Sequence, residues 1–64
     1  MRIDRKKLAI RMIQQDMTNK ALAEQSGVSV VTVGYIKSGK SCRDDIGRKI
    51  AKALGVDVTE ILED

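Results

Sequence analysis

Residues 18–37 read TNKALAEQSGVSVVTVGYIK, and this stretch decides the fold because it holds two helix starts separated by a turn. Thr18 is placed to cap a first helix, with Met17 before it in position to staple onto Leu22. Ser29 repeats the device for a second helix, with Val28 stapling onto Val33. Between them Ser26-Gly27 supplies a residue that turns the chain sharply without a Cβ penalty. Leu22 and Ala23 then face inward on the first helix, and Ala23 is small enough to let the second pass close. Val28 plugs the turn, while Val33 and Ile36 form the buried stripe of the second helix. Two cleanly started helices joined by so short a turn must cross steeply, which is the helix-turn-helix unit.

Outward from this unit the chain reads as all-α with five helices. A first helix runs from about residue 4 to 15, with Leu8, Met12 and Ile13 inward and Arg5, Lys6 and Arg11 outward. Ser38-Gly39-Lys40 ends the helix of residues 30–37 with a left-handed glycine. A fourth helix covers about 44–54, burying Ile46, Ile50, Ala53 and Leu54, and Gly55 stops it. Asp57 caps the last one, Glu60 completes a capping box, and Val56 staples onto Ile61. No repeat, linker or low-complexity segment interrupts residues 1–64, so the whole is expected to be one domain.

Composition narrows the function classes. At 64 residues the chain buries only about 60% of the surface its unfolded form exposes. With one Tyr and no Phe or Trp, its core must be aliphatic. One Cys and no His exclude an internal disulfide and the usual zinc ligand sets. No catalytic triad, metal cluster or phosphate-cradling glycine loop is present, so neither an enzyme nor a cofactor or small-molecule ligand is expected. No apolar run approaches a membrane span and no secretory signal begins the chain, which makes a cytoplasmic location the default expectation. Charge is uneven. Residues 1–56 carry all twelve Lys and Arg against five acids, whereas 57–64 carry four acids and no base. A basic body of this kind suits a polyphosphate partner.

Three segments, MTNKALAEQSGVS, VTVGYIKSGK and KIAKALGVDVTEIL, give the chain its likeness to known proteins. Over about residues 8–62 it resembles the lambda-repressor-like family, which includes phage repressors, Cro and the xenobiotic-response-element regulators. The resemblance implies a compact five-helix domain that binds double-stranded DNA as a sequence-specific transcriptional regulator, a repressor in particular. It places the third helix in the major groove with Val30, Val31, Thr32 and Tyr35 at base edges and Gly34 close to the groove floor. Asn19, where the family usually has Gln, Lys20, Lys37, Lys40, Ser41 and Arg43 would meet phosphates. Dimerisation through the segment holding Val58 and Leu62 is a further implication.

Two features depart from that pattern. Where many members pair an Arg of the first helix with a Glu of the third, this chain has Met12 and Lys37, so Lys37 is expected to reach outward. Cys42 stands where Pro is common. The groove-facing chemistry is also unusual. Val30 and Val31 carry no hydrogen-bonding group and discriminate bases only by packing on thymine methyls, or else the helix takes its affinity from phosphates and DNA shape. The alternative is a protein-interaction module, such as an antitoxin or antirepressor, that uses the same apolar helix face.

Overall fold

Helix starts in this chain are fixed by side-chain oxygens that accept from backbone amides otherwise left unpaired. In the computed structural model, which describes residues 1–64, Asp4 accepts from the Lys6 and Lys7 amides and opens α1 (Arg5–Gln14). Thr18 accepts from the Ala21 amide and opens α2 (Asn19–Ser26). Ser29 does the same for Thr32 at the start of α3 (Val30–Lys37). Helix α4 (Asp44–Leu54) has no side-chain cap, but Asp44 and Asp45 place negative charge in its first turn, where the macrodipole favours it.

Helix ends follow one pattern. Gly27 and Gly39 adopt the left-handed conformation, with φ of 75° and 98°, that an ordinary side chain resists. After α3 the Gly39 amide donates to the Ile36 carbonyl at 3.0 Å and the Lys40 amide to the Tyr35 carbonyl at 3.2 Å, the two bonds of a Schellman motif. After α1 the left-handed position is held by Asp16, a non-glycine residue with φ of 51°.

Four α-helices are present, so the expectation of five is corrected. Asp57 and Glu60 do form a capping box, but the element they open is a single 3₁₀ turn, Val58–Glu60. The backbone beyond it is needed elsewhere. The Asp4 amide donates to the Ile61 carbonyl at 2.8 Å and the Glu63 amide to the Arg2 carbonyl at 3.0 Å. These bonds make Ile3 and Leu62 an isolated antiparallel bridge that ties the two ends of the chain together. Residues paired in this way cannot also continue a helix.

The core is one cluster of twelve buried apolar residues, contributed by all four helices together with Ile3, Val28 and Ile61. Helix α2 packs on both α3 and α4, and α1 packs on α3. No polar side chain is buried. Ile13 is 74% exposed rather than inward, because Leu8 and Met12 already define the buried stripe of α1 and Ile13 lies about 100° round the helix from Met12. In α4 the inward stripe is Gly47, Ile50, Ala51 and Leu54, leaving Ile46 and Ala53 half-buried at its edges. The Met1 side chain fills the space beside Gly47. No helix is long and apolar enough to cross a membrane.

Two predictions follow from this packing. Ile3→Ala, outside any helix, lowers the free energy of urea unfolding by about 2–5 kcal/mol, the same range as Ile36→Ala inside α3; a loss near zero at Ile3 would contradict the end-to-end closure. The Asp57 carboxyl is held below its ordinary pKa by the Thr59 amide and then the Thr59 hydroxyl, and Asp4 by the Lys7 amide. A depressed folded-state pKa adds stability above the unfolded aspartate value, about 3.9, and that stability is lost as pH falls through the lower folded value. The melting temperature therefore drops on acidification below about pH 4, and an Asp4→Asn, Asp57→Asn double variant flattens that limb of the profile.

Candidate nucleic-acid interface

The side of α3 that faces solvent is dictated by the side that does not. With Val33 and Ile36 buried, Val30, Val31 and Tyr35 stand 50%, 61% and 53% exposed. Val31 and Tyr35 lie one helical turn apart, and so do Val30 and Gly34. A Cβ added to Gly34 would meet nothing within 4 Å, so the face has a shallow notch between methyl-bearing side chains and an aromatic ring. Thr32 is half-buried, and its hydroxyl oxygen accepts from the Ser29 hydroxyl at 2.9 Å.

The end of α3 builds a second part of the surface. The Schellman bond from the Lys40 amide brings that residue back over α3, and its ammonium lies 4.6 Å from the centre of the Tyr35 ring, within cation–π range. Ser41 is exposed beyond it. Arg43 is also exposed, but its guanidinium pairs with Asp45, Nε to Oδ1 at 3.2 Å, which offsets its charge locally.

Lys37 does not reach outward as the sequence led us to expect. Its ammonium donates to Asn19 Oδ1 at 3.0 Å, joining the start of α2 to the end of α3. The cause is position: Lys37 follows the buried Ile36 and lies one turn from Val33, so it leaves α3 half-buried, with Asn19 within hydrogen-bond reach. A lysine offers donors only, so the amide oxygen turns toward it and the Asn19 NH₂ group remains for an outside acceptor. The unit thus has an interhelical brace, while Met12, at the other departing position, belongs to the core. Lys20 is exposed next to Asn19.

The acidic segment shapes the field around this surface. Glu63 pairs with Arg2 at 3.2 Å, Asp64 with Lys7 at 3.0 Å and Glu60 with Arg11 at 2.9 Å. Three of the four acids of residues 57–64 thus pair with Arg2, Lys7 and Arg11, and the fourth, Asp57, caps the 3₁₀ turn. Lys20, Lys37 and Lys40 have no carboxylate partner, and neither have Arg5 and Lys6 of α1 or Arg48, Lys49 and Lys52 of α4. Lys7 also donates to the Leu62 carbonyl at 2.9 Å.

Two neighbours of this surface escaped the sequence reading. Arg2 donates to the Gly39 carbonyl at 3.0 Å, and the Arg5 side chain runs beside Gly39, so two cations from the chain's start border the loop after α3. Nothing local announces this, because 37 positions separate Arg2 from Gly39. Val58 and Leu62, expected as an apolar dimer patch, are instead half-buried. Val58 packs on the core, and Leu62 is held in the bridge to Ile3. The exposed large apolar residues outside α3 are Ile10 and Ile13. Burial pushes the Cys42 thiol pKa up, and no group of three or more His, Cys, Asp or Glu side chains is placed to hold a metal ion.

Comparison with known proteins agrees with this geometry. A profile of the helix-turn-helix family matches residues 8–61. Among solved structures, a hydroxyethylphosphonate dioxygenase variant superposes with a TM-score of 0.89 at 25% identity, over 100% of this chain and 14% of that one. Native PhpD with cadmium superposes with a TM-score of 0.86 at 25% identity and the same coverage. The chain therefore spans a small fraction of those proteins, and the likeness is to one helical part of each. No curated protein sequence matches the chain.

The brace between the helices is open to a direct test. In a double-mutant cycle of Asn19→Ala and Lys37→Ala, urea unfolding should give a coupling energy of about 1 kcal/mol. Strict additivity would mean that the hydrogen bond adds nothing.

Proposed function

The chain belongs to the lambda-repressor-like, Cro/C1-type helix-turn-helix family, and on that premise we propose that residues 1–64 act as one sequence-specific DNA-binding domain of a transcriptional repressor. The observation that carries this reading is the outer face of α3. It is half or more exposed along Val30, Val31 and Tyr35, and it is flanked by Lys20, Lys37 and Lys40, none of which has an acid partner. Such a rod fits the major groove, where base edges are accessible, while flanking cations meet the phosphates on either side.

In this reading Val30, Val31, Thr32 and Tyr35 lie at base edges. Lys40, Lys20, Ser41 and the Asn19 NH₂ group contact the backbone, with Lys37 positioning Asn19 and partly neutralising the same phosphate. Arg43 contributes less because Asp45 competes for it. Repression follows from occupancy, since a domain seated in a promoter excludes polymerase without a second surface. The chain acts by binding and carries out no reaction of its own. Dimerisation through Val58 and Leu62 is not part of the proposal, because both are engaged within the chain.

A second reading is favoured by one observation. The same three exposed residues are largely apolar, and an apolar helix face also fits a protein groove, as in an antitoxin or antirepressor. Charge separates the two. On random-sequence duplex DNA, Lys40→Gln should weaken binding and lower the slope of log affinity against log salt by about 0.9, the share of a single neutralised phosphate. Tyr35→Ala should reduce the preference for selected over random duplexes. Wild-type affinity in both variants would favour the protein partner.

A further inference from the structure

We infer that the α3 face recognises the 5-methyl group of pyrimidines, so that thymine, and 5-methylcytosine at the same place in the groove, is the feature read by Val30, Val31 and the notch at Gly34. The inference rests on the DNA-binding reading and specifies what that surface takes.

Val30, Val31 and Gly34 offer no side-chain donor or acceptor. The Thr32 hydroxyl oxygen accepts from Ser29 and keeps its own O–H, and the Tyr35 ring lies under the Lys40 ammonium, so the hydroxyls of Thr32 and Tyr35 are the hydrogen-bonding groups beside the valines. In the major groove the thymine methyl is the one apolar group that projects from a base edge, cytosine carrying only a C–H at that place. Valine pressed against guanine O6 and N7, or against the cytosine amino group, strips water from those groups and gives nothing back. Against a methyl it gains apolar contact. The surface therefore selects by matching apolar to apolar and by penalising the rest.

Gly34 lies inside a helix of eight residues, where glycine is among the poorest choices. Its backbone does not need glycine, since its φ is not positive. Its surroundings do not need it either, since a Cβ there would meet nothing within 4 Å beyond its chain neighbours and the backbone of its own helix. Nothing inside the molecule explains the missing methyl. What explains it is close approach from outside, and the residue one turn away on that side is Val30.

The methyl, rather than the whole base, is the recognised element. Cytosine methylated at C5 presents the same group at the same groove position, so it regains the methyl contact that unmethylated cytosine lacks, while the cost of its amino group and of the paired guanine is the same in both. Methylation of cytosine would thus create or strengthen a binding site.

The test begins with a duplex selected by the full chain from a random pool. Each thymine in it is replaced singly by deoxyuridine, which removes the methyl and leaves the hydrogen-bonding pattern intact. In a second series the same T·A pairs become either C·G or 5-methylcytosine·G. Removing one buried methyl predicts about a fourfold drop in affinity at the contacted positions, and the methylated C·G duplex should bind about fourfold tighter than its unmethylated twin. Gly34→Ala should move stability and binding in opposite directions, raising the melting temperature of the free protein while weakening the selected duplex roughly tenfold. Indifference to deoxyuridine and to 5-methylcytosine, with Gly34→Ala binding normally, overturns the inference and leaves DNA binding in place. Failure to bind any duplex removes the DNA-binding reading itself, and this inference with it.

Discussion

The packing of α2 on α3 governs everything else in this molecule. Leu22 and Ala23 from one helix, Val33 and Ile36 from the other, and Val28 at the turn belong to the same buried cluster. Burying Val33 and Ile36 leaves α3 no choice about which residues it shows to solvent. The turn at Gly27 sets how sharply the helices cross, and the Lys37–Asn19 hydrogen bond ties their far ends. A core with no buried polar side chain is held by shape and burial alone, so the helix caps and the interhelical brace supply the directional constraints.

How far this was legible in sequence depended on the range of the interaction. Caps, staples and left-handed stops act over three to five residues, and the residues that perform them are chemically distinctive. Thr18, Ser29, Gly27 and Asp57 therefore announced their roles, and the stripes of α2 and α3 followed from helical periodicity. Ile3 did not, because it precedes α1 and its partner Leu62 lies at the other end of the chain. The same closure explains the missing fifth helix: a capping box specifies how an element starts, whereas long-range pairing with Arg2 and Asp4 decides where it stops. Ile13 shows a different limit, since apolarity alone does not mark burial when neighbouring positions already fill the stripe.

At the candidate interface, residue types were legible and their competition was not. Lys37 and Arg43 looked alike as cations near the end of α3, yet one reaches the Asn19 amide and the other turns to Asp45. The acidic segment was visible as a charge imbalance along the chain. Only folding shows that it pairs with Arg2, Lys7 and Arg11 and not with the lysines beside α3, which therefore keep their charge for a polyanion.

If the solvent face of α3 and the lysines beside it meet a DNA duplex while the rest of the surface stays clear, amide chemical-shift mapping of the labelled chain during titration with duplex DNA will show it. Shifts should concentrate at residues 19–20, 30–35 and 40–43, with α4 beyond its first turn and the 3₁₀ turn of 58–60 unmoved. Shifts centred on α4 or on the exposed Ile10–Ile13 side of α1, with α3 silent, would contradict it.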